Sequence, residues 1–197
     1  METGAAELSN TDDLVDALSP VVAVLRDLGI RHYVGGSIAS AFHGATRATM
    51  DVDLVCELTD DRVHEFVDRF GADYYISEPA ARDAVRRKSC FNMIHLPTSF
   101  KVDLFVSRER PFDMESMYRA TEQSLGESKT VTVRIATAED SIVSKLEWYR
   151  LTNEVSDRQW EDVSRLLSLL GDTADVDYLK RAAASVGVGD LLARLLP

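Results

Sequence analysis

Asp51 and Asp53 stand one residue apart in a short run, DVDLVC, whose other members are apolar. A strand sends alternate side chains to the same face, so both carboxylates point one way, roughly 6–7 Å apart at Cα. Like charges held together repel unless something cationic sits between them. Hard divalent cations bound by oxygens are the usual solution, and phosphate transfer is the usual chemistry. A solvated strand end is the commoner fate of a lone D-x-D pair, so its surroundings have to decide. Gly35, Gly36 and Ser37 close a predicted strand, Ile30 to Val34, and open a predicted helix, Ile38 to His43, which Gly44 stops. A glycine turn at a helix start leaves unpaired N–H groups and a positive dipole end, which suits a phosphate. Ser37 can cap that helix or donate to an anion. Taken alone, Gly-Gly-Ser reads as a tight strand-to-helix turn. Followed closely by an acidic pair, it reads as a phosphate cradle beside a metal site.

A third acid completes the set. Phe100 to Val106 (FKVDLFV) alternates as a strand, with Lys101, Asp103 and Phe105 on one face and Val102, Leu104 and Val106 on the other. An aspartate inside such a strand is expensive to bury unpaired. A neighbouring Lys or Arg would satisfy it; a metal shared with Asp51 and Asp53 is the sharper alternative. Between the glycine turn and the acidic pair, a loop carries Arg47 and Thr49.

The elements that must position these groups follow from pattern. Asp12–Leu18 reads as a short helix, Ser19–Pro20 as a cap, and Val21–Leu28 as its continuation, with Met1–Thr11 frayed. Thr59 caps a helix whose inward stripe is Val63, Phe66, Val67 and Phe70. Tyr74–Ile76 is a short strand, and Cys90–Leu96 pairs with Phe100–Val106 across Pro97–Thr98–Ser99 as a hairpin. Arg108–Thr121 contains a helix in its second half, and Thr130–Ile135 is a late strand. After Ala136 only helical patterns remain. Thr137 caps one helix, Ser156-x-x-Gln159 is a capping box for the next, and two more cover Val176–Val186 and Asp190–Leu196. The expectation is an α/β (α+β) fold: residues 1–135 as a catalytic domain with a mixed sheet, residues 136–197 as a C-terminal helical bundle, and a cleft between them.

The helical part contributes a second group of candidates: Lys145, Arg150, Asp157, Arg158 and Asp162. Lys145 lies one turn from Tyr149, and Asp162 lies two residues from the Trp160 core position. A point-charge lysine can neutralise a triphosphate. Spacing alone favours an ion pair tying two helices together.

Composition bounds the alternatives. The chain has 197 residues, is 45% hydrophobic and 28% charged, and so has the make-up of an ordinary globular protein. No secretory signal and no membrane-length apolar run is present, which points to a cytoplasmic protein. Cys56 and Cys90 form no disulfide framework and are expected to be reduced and buried, and the four histidines have no zinc spacing. A formal charge of −11 argues against broad nucleic-acid binding, although Arg82, Arg86, Arg87 and Lys88 make a local basic cluster. That cluster is either a solvated helix face or an acceptor-binding patch.

The combination G35-G36-S37, R47-x-T49-x-D51-x-D53-L54 and a strand with a central Asp103 resembles the DNA polymerase β-like nucleotidyltransferase superfamily. Its first block is similar to the AbiEii-type toxin branch and related minimal bacterial members. K145-L-E-W-Y-R150 followed by S156-D157-R-Q-W-E-D162 resembles the helical lysine and later aspartate of that branch. The resemblance implies a mixed sheet flanked by helices and Mg²⁺ (or Mn²⁺) held by Asp51, Asp53 and Asp103. It further implies an NTP donor, bound with the help of Gly35, Gly36, Ser37, Arg47, Thr49, Lys145 and Asp162. The acceptor would be a hydroxyl of tRNA or other RNA, of a protein or of a small molecule, and an antitoxin partner would be in keeping with a toxin role. The gap between the Gly-Ser and the D-x-D is longer than in minimal members, and Ser37 stands where some antibiotic-modifying members have Trp, so the acceptor stays open. Rival readings are a D-x-D nucleotide-sugar glycosyltransferase and a non-catalytic module that binds nucleotide or a partner.

Overall fold

The computed structural model describes residues 3–45 and 49–196. In chain order the elements are α1 (Thr3–Asp27), β1 (His32–Val34), α2 (Gly36–Phe42), β2 (Asp51–Cys56), α3 (Asp60–Asp68), β3 (Tyr74–Ile76), α4 (Glu78–Arg87), β4 (Cys90–His95) and β5 (Phe100–Val106). They continue with α5 (Pro111–Arg119), β6 (Thr121–Leu125), β7 (Val131–Ile135), α6 (Ala138–Leu151), α7 (Asp157–Leu170), a 3₁₀ turn at Gly171–Thr173, α8 (Val176–Ser185) and α9 (Gly189–Ala193). These elements form two compact units between which the chain passes repeatedly. One comprises the chain up to Val34 together with Thr49–Arg108 and Thr121–Ile135. The other comprises the stretch that begins at Gly35 and carries α2, the stretch Glu109–Ala120, and everything from Ala136 onward. Two pieces of the first 135 residues thus pack with the C-terminal helices.

The first unit is built on a seven-stranded mixed sheet of order β3-β4-β5-β2-β1-β7-β6. β2 runs parallel to β5 and β1 parallel to β7, while the remaining neighbours are antiparallel. α1 lies against β5 and β7 and buries Leu14, Leu18, Val21 and Leu25 there. The expected interruption at Ser19–Pro20 is absent: Pro20 sits inside one continuous α1, which also takes in residues expected to fray. Proline cannot donate to the carbonyl four residues back and crowds it. The Tyr74 hydroxyl compensates by donating to the Ala17 carbonyl at 2.9 Å and to the Asp16 carbonyl at 3.5 Å. Successive buried turns against the sheet hold the helix together across the proline.

Other local expectations shift for physical reasons. α5 begins at Pro111, earlier than its pattern implied, because Asp113 accepts from the Arg110 backbone N–H at 3.0 Å and Pro stands at the helix start. β6 (TEQSL) has no apolar alternation to announce it and is an edge strand held by β7. At α3 the Thr59 side chain makes no capping bond. At α7 the Ser156 side chain makes none either, and the Gln159 amide oxygen, which a capping box would turn to the Ser156 N–H, instead accepts from Lys145 Nζ (3.5 Å). The basic cluster on α4 is largely spoken for: Arg82 pairs with Glu78 (2.8 Å) and Arg87 with Asp83 (3.0 Å), both one turn away. Cys56 is buried as expected, whereas Cys90, the first residue of β4, is exposed.

The second unit has its own core of Phe112, Ile142, Leu146, Val163, Leu166 and Leu179, joined by Ala45. Thr137 caps α6 by accepting from the Asp140 N–H at 3.1 Å. Asp140 is fully buried yet well satisfied: it accepts from the Thr137 hydroxyl (2.7 Å), from the Tyr178 hydroxyl and from Arg119 Nε (3.4 Å). The Arg119 guanidinium lies 3.8 Å over the Tyr178 ring, so the charge is balanced from two sides. Among the described residues, no helix is long and apolar enough to cross a membrane.

Candidate active site

The acidic face of the first unit is made by two adjacent parallel strands. In both, every second residue is buried: Val52, Leu54 and Cys56 on β2, and Val102, Leu104 and Val106 on β5. Their partners therefore share the opposite, half-exposed face: Asp51, Asp53 and Val55 beside Lys101, Asp103 and Phe105. Register makes the arrangement specific, for Asp53 is the Cα partner of Asp103 and Asp51 that of Lys101. Neighbouring strands are about 4.8 Å apart, which brings Asp53 and Asp103 side by side with Asp51 about two residues along. On the far side of β5, Asn92 of β4 faces Asp103.

Lys101 sits among these carboxylates. Its Nζ donates to Asp103 Oδ2 at 2.7 Å and lies 3.8 Å from Asp51 Oδ2. The hydrogen bond to Asp103 raises the Lys101 pKa, burial opposes the rise, and the charges of Asp103, Asp51 and Asp53 add to it. Thr49 donates its hydroxyl to Asp51 Oδ1 at 2.7 Å, fixing that carboxylate from the loop side. The acidity is felt at a distance: although Cys90 as a residue is exposed, partial burial of its sulfur pushes the thiol up to about 12, with the negative charges of Asp103 and Asp53 adding to the effect.

The donor chemistry fits a hard divalent cation, since carboxylate oxygens are what Mg²⁺ and Mn²⁺ take. Among the described residues, no three His, Cys, Asp or Glu side chains already converge as a ligand set. Instead, two of the three aspartates here turn toward the Lys101 ammonium. That ammonium is the nearby cation foreseen as the structural way of satisfying Asp103. Sequence pattern placed Lys101 on this face but assigned it no role.

The remaining sequence candidates lie as follows. Gly35 is the N-cap of α2, Gly36 has φ +55°, a left-handed value that favours glycine, and Ser37 is buried in the first turn. Ser37 is not the capping residue, and the helix start has no side-chain cap. Arg47 falls outside the described residues. Lys145 and Asp162 meet: Nζ donates to Oδ2 at 2.7 Å, with the two side chains only 6% and 11% exposed. This pair joins α6 to α7 inside the second unit.

Neither a protein-family model nor a curated protein matches the sequence. Solved structures do. The solution structure of the antibiotic-resistance factor ANT(2'')-Ia superposes with a TM-score of 0.54 at 14% identity, covering 93% of this chain and 96% of that one. The crystal structure of ANT(2'')-Ia with adenylyl-2''-tobramycin gives 0.51 at 14% identity, over 88% and 97%. An antigenic nucleotidyltransferase-like protein from Paracoccidioides brasiliensis gives 0.53 at 18% identity, over 94% and 93%. At such identities the likeness is one of fold, and it extends over nearly the whole of each chain. The protein therefore has the nucleotidyltransferase fold, a mixed sheet flanked by helices that carries three aspartates on adjacent strands.

Proposed function

We propose that the protein is a nucleotidyltransferase that moves an NMP group from an NTP to an acceptor hydroxyl with the help of a divalent cation. The observation that carries this reading is the Asp53–Asp103 register between parallel strands, with Asp51 on the same face, in a chain of nucleotidyltransferase fold. Asp51, Asp53 and Asp103 would hold Mg²⁺ or Mn²⁺. Bound there, such an ion offsets phosphate charge and makes the acceptor hydroxyl more acidic. Thr49 keeps Asp51 turned to the site through its 2.7 Å hydrogen bond. Asp103, on β5 beside Asp53, is the group we assign to receive the hydroxyl proton. The acceptor oxygen bonds to the α-phosphorus as the bond to the bridging oxygen breaks, and pyrophosphate leaves. Nucleotide-binding roles for Gly35, Gly36, Ser37, Arg47, Lys145 and Asp162 rest on their sequence pattern.

For the acceptor we favour a small cationic, hydroxyl-bearing molecule. A formal charge of −11 draws cations and repels polyanions, and ANT(2'')-Ia, of the same fold, is seen with adenylyl-2''-tobramycin. Transfer to RNA or protein under the control of an antitoxin, which the AbiEii-type resemblance implies, is the competing outcome of the same experiment. The pure protein is incubated with each α-³²P-labelled NTP, Mg²⁺ or Mn²⁺, and either an aminoglycoside mixture or total lysate separated into RNA, protein and small molecules. Label in the small-molecule fraction supports the proposal, and label in RNA or protein redirects the acceptor. Asp51→Asn and Asp53→Asn should each lower incorporation by at least about a hundredfold while the circular dichroism spectrum is unchanged. Full activity in either variant sinks the reading.

A further inference from the structure

We propose that Lys101 is a tethered counter-ion that a divalent cation must displace, so that this one side chain sets how tightly the acidic site binds metal. The inference rests on the metal-site reading above and deepens it. Three features support it. Lys101 is the Cα partner of Asp51 and lies two residues from Asp103 on the same strand face, so its ammonium is delivered to the aspartates by the sheet itself. It donates to Asp103 Oδ2 at 2.7 Å and reaches within 3.8 Å of Asp51 Oδ2, thereby occupying oxygens a metal would need. Its side chain is 41% exposed, so it is anchored by charge and not by packing, and a four-carbon stem can swing it into solvent.

A cation that takes the same carboxylate oxygens would meet the ammonium at close range. Two like charges a few ångströms apart oppose each other even near the surface. Metal binding therefore requires Lys101 to leave its partners, and the cost of that movement weakens the site. The geometry also shows how the lysine helps: it keeps neighbouring carboxylates from repelling one another while the sheet is assembled.

The test is a Mn²⁺ titration of the full chain, followed by electron paramagnetic resonance of the free ion, in the absence of nucleotide. Lys101→Met should bind Mn²⁺ about tenfold more tightly than the parent, because one positive charge has been removed beside the ion. Lys101→Gln guards against a folding effect of the first variant and should behave alike. Lys101→Arg keeps the charge and should stay within about threefold of the parent. Adding Asp103→Asn to Lys101→Met should remove the gain. Unchanged or weaker Mn²⁺ binding in Lys101→Met and Lys101→Gln, with binding still lost in Asp51→Asn and Asp103→Asn, overturns the inference and leaves the site reading intact. Binding equal in parent and carboxylate variants, or none in any of them, overturns the site reading and the inference together.

Discussion

Single residues in this protein show two ways of handling a charge away from bulk water. On the sheet, Asp103 is only 13% exposed and meets its cation across a strand turned half to solvent. Between α6 and α7, Lys145 and Asp162 are almost wholly enclosed and hold each other. Removing one partner of a buried pair leaves an uncompensated charge, so Lys145→Met should cost about 3–5 kcal/mol in urea unfolding. Replacing both by apolar residues, Lys145→Met with Asp162→Leu, should restore most of that loss. The double variant also separates two roles. A stable but inactive protein would show that the pair serves the nucleotide as well as the helices, and retained activity would limit it to structure. A second residue-scale prediction concerns His32, buried with Nδ1 against the Ile30 carbonyl at 2.8 Å. Burial lowers its pKa below 6.5, so as pH falls the unfolded chain takes up the proton first. Stability then declines as pH drops below 6.5, and His32→Gln should make that decline shallower in urea titrations. At this scale the sequence was most readable. The two-residue period of a strand places Asp51 with Asp53, and Lys101 with Asp103, with no tertiary knowledge. The ion pair of Lys145 was visible only as one of two alternatives, because helix spacing says which residues share a face and not which helix comes to meet them.

Whole elements were readable where local chemistry is strong and unreadable where a partner supplies the stability. β5 alternates so regularly that its bounds in the structure coincide with the sequence run, Phe100–Val106. β6 is polar along its length and exists because β7 offers it hydrogen bonds. α1 makes the same point about proline. Its local signal is a break, and the signal that overrides it is a tyrosine more than fifty residues later, whose hydroxyl also reaches the Asp16 carbonyl that Pro20 leaves without a donor, at 3.5 Å. Tyr74→Phe should therefore cost about 1 kcal/mol, and much less in a Pro20→Ala background where the helix regains its own donor. A double-mutant cycle by thermal unfolding measures the coupling, and additive effects would mean the two sites act independently. For α6, loss of the Thr137 cap also removes a bond to buried Asp140, so Thr137→Ala should destabilise by about 1–2 kcal/mol.

The whole molecule is two units whose chain segments alternate, and this is what the linear reading simplified. A composition change at Ala136 is real, since helices alone follow it. Yet α2 and α5, which precede it, pack with those helices: Ala45 and Phe112 belong to the core of Ile142 and Leu146. Residues far apart in sequence share a core for reasons of packing that no local pattern encodes. A fragment ending at Ile135 would keep every strand of the sheet but expose the apolar faces of α2 and α5. It should be aggregation-prone and lack a sharp thermal transition, whereas the full chain should unfold cooperatively, as scanning calorimetry can check.

The same alternation bears on how the protein is made. Emerging from a ribosome, the chain delivers α2 and then α5 long before the helices that cover them. The sheet waits too, because β7, the parallel neighbour of β1, appears only at Val131. The apolar faces of α2 and α5 therefore wait for α6 and α8, their later partners, while the intervening residues are made, at a few residues to tens of residues per second. The formal charge of −11 helps such a nascent chain, through mutual repulsion between copies. The acidic character that would favour a cationic acceptor also keeps nascent copies of an interleaved fold apart until it closes.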